Sequence, residues 1–263
     1  MNETTWRISI FMGLLMLFCA LEAFFPRRAR IAKRRQRWPT NMIMMIISTV
    51  LIRMLGPIAA MSMALWVSTQ HIGLLNLVTL PAGLEIVLGF ILLDCMIYLQ
   101  HVLSHKIPLF WRFHKVHHTD RDLDASSALR FHPVEIVASM VYKCGVILLL
   151  GPSVLTVLIF EMVLNGAAMF NHANMRLPLA LDNALRTIIV TPDMHRVHHS
   201  VIERETNSNY GFNFSIWDRL FRTYRAQPEA GHEGMTLGLE EHQTDALNTL
   251  LWSLMLPFAK TKK

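Results

Sequence analysis

Cysteine is scarce in this chain: only Cys19, Cys95 and Cys144 occur in 263 residues, and no two of them form a Cys-x-x-Cys pair. Each sits in an apolar run and their number is odd, so they read as packing residues rather than as a disulfide framework or a thiolate metal site. None lies in a haem-ligand setting. The sequence also has no Gly-x-Gly-x-x-Gly and no Walker pattern, so nothing in it points to a loop that cradles nucleotide phosphates. Ser/Gly-rich and low-complexity linkers are absent too, and no internal repeat occurs apart from one histidine motif, which favours a single domain over the whole of 1–263. Acidic residues are outnumbered, 19 against 25 Lys and Arg. The excess is concentrated in PRRARIAKRRQR at 26–37, a run without one acid that directly follows an apolar span. That position is expected of a membrane-topology signal and not of a nucleic-acid patch.

What the chain does contain is hydrocarbon. Some 52% of its residues are hydrophobic and 17 are Met, a composition that suits lipid-buried helices better than a soluble domain. Residues 8–25 are long enough to cross a bilayer and have no small-residue cleavage site, so they read as a retained signal anchor. Further apolar stretches at 42–68, 83–100, 134–150 and 153–170 follow, the last two split only by Gly151 and Pro152. The expected fold is therefore all-α, a polytopic membrane bundle of four to five membrane helices with a helical, His-rich cytosolic cap. Residues 8–82 form its N-terminal helices, 83–225 the region that carries the clustered histidines and 226–263 a tail. Placing 26–37 in the cytoplasm and alternating from there brings all ten clustered histidines to the cytoplasmic face. A shallow re-entrant hairpin over the last two stretches leaves that outcome unchanged.

Those histidines are the densest chemical signal. His101 and His105 are four apart at the end of an apolar helix, on one face of it. Two HxxHH boxes follow, His114, His117 and His118, then His195, His198 and His199. Positions one, four and five of such a box project from one side of a helical turn, so three nitrogens are expected to converge. Eight imidazoles exceed the needs of one ion, and imidazole suits Fe, Zn, Cu and Ni, so two metal ions are the economical account. His132 and His172 stand at the two feet of the expected hairpin, level with the boxes, and join the candidate ligands. His71, His232 and His242 have no such company and read as surface residues. Neutral imidazoles leave the ions' charge uncompensated, so carboxylates are expected behind them: Asp94, two turns before His101, then Glu135 and Asp193, with helix capping or solvation as their alternative role. Arg53 and Glu161 fall within apolar stretches, where they would pair with each other or line a polar pocket for a lipid headgroup. Alternatively, Gly56 and Pro57 break the second helix and leave Arg53 in water.

In order along the chain, DCMIYLQHVLSH, WRFHKVHH, RFHPVE, NHAN, TPDMHRVHHS and NYGFNFSIWDRLFRTY resemble the fatty acid hydroxylase superfamily, also called the sterol desaturase family, over roughly residues 83–225. The resemblance implies an integral-membrane oxygenase in which two iron ions, ligated by His101, His105, His114, His117, His118, His195, His198 and His199, activate O₂. His132 and His172 follow the family's additional histidine positions, and zinc is a possible substitute in purified protein. Electrons would come from a separate ferredoxin, cytochrome b5 or reductase. Hydroxylation of a lipid C–H is the expected reaction, with desaturation the alternative because it shares the ligand pattern. Asn209, Tyr210, Gly211, Trp217 and Asp218 match the C-terminal signature and are expected to support the site structurally. A metal transporter would spread its ligands across the membrane, and a bis-His haem protein would hold them at membrane depth. The absence of a transit peptide and the position of the lysines in the terminal KTKK favour a bacterial inner membrane, with the ER as the eukaryotic counterpart.

Overall fold

The computed structural model describes residues 3–55 and 59–259. Among them no β-strand occurs, only isolated bridges between loops. The long helices are α1 (Glu3–Phe24), α2 (Arg34–Met54), α4 (Ala82–Lys106), α6 (Pro133–Leu150) and α7 (Val154–His172), with the shorter α3 (Ala60–Gln70) between α2 and α4. Four of these, α1, α4, α6 and α7, are long and apolar enough to span a bilayer, and they make the chain an integral membrane protein. The apolar stretch at 42–68 is not one helix: α2 and α3 are separate, and the latter has only 11 residues, too few to cross. Gly56 and Pro57, which the sequence marks as the break, lie outside the described residues.

The turns that reverse the chain have clear local causes. Gly151 ends α6 with φ 68°, and a Cβ there would stand 2.3 Å from the Ile72 carbonyl oxygen, so only glycine lets the 71–76 turn approach this closely. Asn76 Nδ2 seals the contact by donating to the Gly151 carbonyl at 2.9 Å. Ser153 N-caps α7, and the Glu85 carboxylate accepts from both the amide and the hydroxyl of Ser153. The 71–81 and 150–153 segments are thus pinned together at one end of the bundle.

The opposite end carries a cap of short helices: α5 (Pro108–His118), α8 (Leu179–Leu185) and α9 (Pro192–His198). Proline at the first position starts α5, α6 and α9, where its missing N–H is not needed. The basic run folds back over this cap. Arg37 is buried and reaches Asp120 at 2.6 Å and Asp124 at 2.8 Å, Arg34 meets the buried Glu22 at 2.5 Å, and Arg28 donates to the carbonyls of His232 and Met235 at 2.7 Å each. The run expected only as a topology signal is also a structural clamp.

Candidate metal centre

Five histidines form one group, His101, His105, His114, His118 and His198, and four form another, His117, His172, His195 and His199, with ligand atoms in each group within 4.8 Å of one another. They come from four elements. α4 supplies the His101/His105 pair, α7 ends on His172, and α5 and the α9 segment carry the two boxes. Each box divides between the groups instead of converging as one trio. His114 and His118, four apart, face the first group while His117 faces the second. The other box reverses this, with His195 and His199 in the second group and His198 in the first. Neighbouring residues on a helix diverge by about 100°, so adjacent histidines serve different centres while the i, i+4 pair shares one. The stacked rings of His118 and His199, centroids 4.5 Å apart, form the seam between the groups.

The ring orientations indicate what such a site holds. His101 Nδ1 donates to the Tyr210 carbonyl at 2.7 Å, His198 Nδ1 to the Ser208 carbonyl at 2.7 Å, and His114 Nδ1 to Glu135 Oε1 at 2.5 Å. A ring nitrogen facing a carbonyl must carry its proton, so in the neutral ring the other nitrogen, Nε2, presents a lone pair. Yet the Nε2 atoms of His101 and His198 are 3.1 Å apart, and those of His101 and His114 are 3.2 Å apart. Burial, then the neighbouring imidazoles, push His198 down to about 3, and the same causes hold His118 well below its ordinary value, so added protons are not the remedy. Lone pairs in such contact repel one another unless a cation accepts both, and nitrogens about 2.1 Å from a shared ion lie roughly 3 Å apart. The second group repeats the pattern. His172 Nδ1 donates to the Ala168 carbonyl at 2.6 Å, and the Nε2 contacts of His172 with His117 and His195 are 3.0 and 3.1 Å. The donor set fits two metal ions.

The remaining expectations divide. His132 joins neither group: its Nδ1 accepts from the Val134 amide as the N-cap of α6, and its Nε2 faces the Leu254 carbonyl. Glu135 does stand behind a clustered histidine, His114. Asp94 does not. Its carboxylate accepts from Asn213 Nδ2 at 2.8 Å, the Phe214 amide at 3.1 Å and Trp217 Nε1 at 2.8 Å, and so holds the 209–218 segment against α4. Asp193 pairs with Arg27 at 3.2 Å and, more closely, with Arg196. Both carboxylates were candidates because they sit near a box in sequence, but arginine and amide donors reach them first. Glu161 pairs with Arg7 at 2.7 Å and Lys143 at 3.0 Å, and not with Arg53, which is exposed. His232 is buried at 6% exposure, contrary to its surface reading, while His71 is exposed.

The C-terminal signature works through backbone. Asp218 accepts from the Tyr210 amide at 2.8 Å and the Gly211 amide at 2.9 Å, which fixes the carbonyl that His101 addresses. A Cβ on Gly211 would lie 2.8 Å from the Phe214 carbonyl oxygen and 2.9 Å from Asp218, so this turn admits only glycine. Asn209, at φ 50°, donates to the carbonyls of Met194 and Arg225 and ties α9 to the same segment. Sequence reasoning missed Arg37, Asp120, Asp124 and Arg130, all buried beneath the boxes. The signal was in the sequence, because three acids within five residues directly after HxxHH need a cation nearby. Beside the first group lies a cavity of about 200 Å³, bordered by His101, His114 and Glu135 on one side and by Ile97, Leu164 and Phe212 on another.

A family model described as fatty acid hydroxylase matches residues 86–223. Ornithine lipid hydroxylase OlsE of Rhizobium tropici is 31% identical over 148 residues, 56% of this chain and 44% of that protein. Alkylglycerol monooxygenase of Homo sapiens is 31% identical over 153 residues, 56% of this chain and 32% of that protein. Cholesterol 25-hydroxylase of Rattus norvegicus is 25% identical over 147 residues, 56% of this chain and 48% of that protein. The matched part of the chain thus spans less than half the length of each of these relatives. No solved structure matches. Every clustered histidine falls inside the family match, which covers more than half of the sequence, and the chain belongs to the fatty acid hydroxylase family.

Proposed function

We propose that this protein is a membrane-bound, O₂-dependent oxidoreductase that hydroxylates a C–H bond of a lipid at a pair of iron ions. His101, His105, His114, His118 and His198 would hold one ion, and His117, His172, His195 and His199 the other. The observation that carries the reading is the pair of adjacent all-imidazole groups at the end of four membrane helices, the first of which borders a cavity. An alkyl C–H bond needs an oxidant that side chains do not provide, and bound iron with O₂ supplies it. One oxygen atom enters the product and the other leaves as water, with two electrons and two protons from a ferredoxin, cytochrome b5 or reductase-type donor. The chain's own residues orient and seclude the site. Glu135, Tyr210, Ser208 and Ala168 hold four rings with Nε2 inward, and burial keeps His117, His195 and His199 neutral and available as ligands.

The names of the relatives, which span an ornithine lipid, alkylglycerols and cholesterol, favour hydroxylation over desaturation. The basic run beside the histidines favours the cytoplasmic side of a bacterial inner membrane for the site, or of the ER in a eukaryote. The first experiment is elemental analysis with Mössbauer spectroscopy on protein purified from iron-supplemented cells. About two irons per chain with magnetically coupled signals support the reading. One zinc or no metal, with iron refused on anaerobic reconstitution, sinks it in favour of a metal-handling role.

A further inference from the structure

The walls of the cavity beside His101 and His114 are not those of a slot for bare hydrocarbon. Gln100, Ser139 and Asn165 border it, and none of the three side chains hydrogen-bonds to any described residue. Ser139 lies seven residues inside α6 from His132 and Asn165 seven residues inside α7 from His172, so both stand about 10 Å below the histidine level, within the membrane-spanning segments. An amide or hydroxyl at that depth without a partner is unfavourable, and a ligand's polar groups are the natural complement. Of the charged groups on the same wall, Lys143 is matched by Glu161 at 3.0 Å and Glu135 Oε1 by His114 at 2.5 Å, while the buried Glu135 Oε2 has no partner. What is left to recognise a ligand is three neutral groups that donate and accept and one carboxyl oxygen, a set that suits a hydroxyl or amide better than an anion.

A second pocket of about 230 Å³ adjoins this cavity and shares Gln100, Ser104, Glu135 and Ser139 with it. Its far wall is hydrocarbon and aromatic, with Leu103, Leu109, Phe110, Phe113 and Val134 from α4, α5 and α6. Of these, Leu103, Leu109, Phe110 and Val134 are themselves exposed on the outer face of the bundle, so the pocket sits where an acyl or alkyl chain enters from the bilayer. On the opposite side the polar cavity shares Asn165, Phe131 and Ile136 with a groove of about 690 Å³ between α1 and α2, which gives a bulky headgroup room. The two compartments have opposite character, and only the polar one touches histidines of the metal groups.

Resting on the lipid-hydroxylase reading, we propose that the substrate is a lipid with a neutral, hydroxyl- or amide-bearing headgroup. The headgroup occupies the cavity bounded by Gln100, Ser139 and Asn165, and the hydrocarbon tail lies in the pocket between α4, α5 and α6. The C–H bond presented to the metal groups then lies in or beside the headgroup, and not far along the tail.

The test reads binding, so it stands apart from turnover. Full-length protein in nanodiscs, without reductant, is titrated with a monoalkylglycerol bearing two free hydroxyls, with its di-O-methyl ether, and with the corresponding monoalkyl glycerol phosphate. The free glycerol is expected to bind about tenfold more tightly than the ether, the worth of one to two hydrogen bonds. Asn165→Leu is expected to erase most of that preference while leaving the ether's affinity unchanged, and Ala138→Phe, which fills the apolar pocket, is expected to weaken both lipids alike. Equal binding of glycerol and ether by the unmodified protein overturns the proposal, and that arm needs no variant to fold. Tighter binding of the phosphate also overturns it, in favour of an anionic headgroup at Arg53. Headgroup preference without iron would defeat the oxygenase reading alone, and iron without preference would defeat this proposal alone.

Discussion

At the residue scale, the ten histidines nominated by spacing do different work, and substitution separates them. His117 belongs to the group of four, so His117→Ala is expected to lower metal content from about two ions per chain towards one and to abolish turnover, with membrane insertion intact. His132→Ala removes the α6 cap and the contact with the Leu254 carbonyl, a loss of about 1–2 kcal/mol, and should leave metal content unchanged. Elemental analysis of the two variants side by side checks both. Nine of the ten gather into the two groups, but the sequence could not tell His132 from them, because Pro133 makes a capping residue look like part of a motif. Asp120 supplies a second residue-scale prediction. Burial pushes its carboxyl up, but the Arg37 guanidinium more than offsets this and holds it below the ordinary 3.8. A depressed native value means that the stabilisation is fully present above pH 3.8 and is lost as pH falls through the lower native value. Asp120→Asn should therefore destabilise the cap by roughly 3 kcal/mol at neutral pH, since Arg37 keeps a buried charge with less compensation. Its unfolding should also depend less on pH below 4 than that of the unmodified protein, as followed by thermal unfolding in detergent between pH 7 and pH 3.

At the element scale, α4 shows what period alone can and cannot reveal. Asp94, Tyr98 and His101 follow one another at four- and three-residue steps on one face, which the sequence displays plainly. The partners of that face are 109 or more residues away, so no local pattern names them. Asp94 holds Asn213, Phe214 and Trp217, Tyr98 pairs its hydroxyl with Thr223 at 2.8 Å, and His101 meets Tyr210. The face is a clamp on the C-terminal signature, and the clamp aligns the His101 ring. Asp94→Leu would leave four donors without an acceptor and is expected to cost about 3 kcal/mol or more. Because the Tyr210 carbonyl orients His101, metal should be lost first from the group of five, with the group of four retaining its ion. Unchanged occupancy of both groups in a correctly folded Asp94→Leu protein would break the link between the clamp and the site.

At the scale of the whole molecule, the division into N-terminal helices, catalytic region and tail does not describe separable parts. Arg130, just after the first box, donates to Asn41 of α2 at 3.1 Å, to the Leu247 carbonyl at 2.7 Å and to Ser253 Oγ at 2.9 Å, joining all three. Arg27 and Arg28 reach Asp193 and Met235 on the cap in the same way. This locking has a consequence for topology that does not depend on which compartment the membrane belongs to. The basic run and both metal groups are fastened to one end of the bundle, whereas the 71–81 segment is fastened to the 150–153 turn at the other. Charge bias alone assigns a side to the run but says nothing about the histidines, which reach that side only by counting spans. The contacts remove the counting. In a background with Cys19, Cys95 and Cys144 replaced, Lys33→Cys and Leu77→Cys, both exposed, are expected to react with a membrane-impermeant maleimide from opposite faces of sealed vesicles. Glu240→Cys in the tail should behave as Lys33→Cys does, because residues 235–245 are bonded to the cap through Arg28 and Arg121. Labelling of Lys33→Cys and Leu77→Cys from the same face would mean that α2 and α3 turn back without crossing and that the basic run lies across the membrane from the histidine groups, which α4 separates from the 71–81 turn.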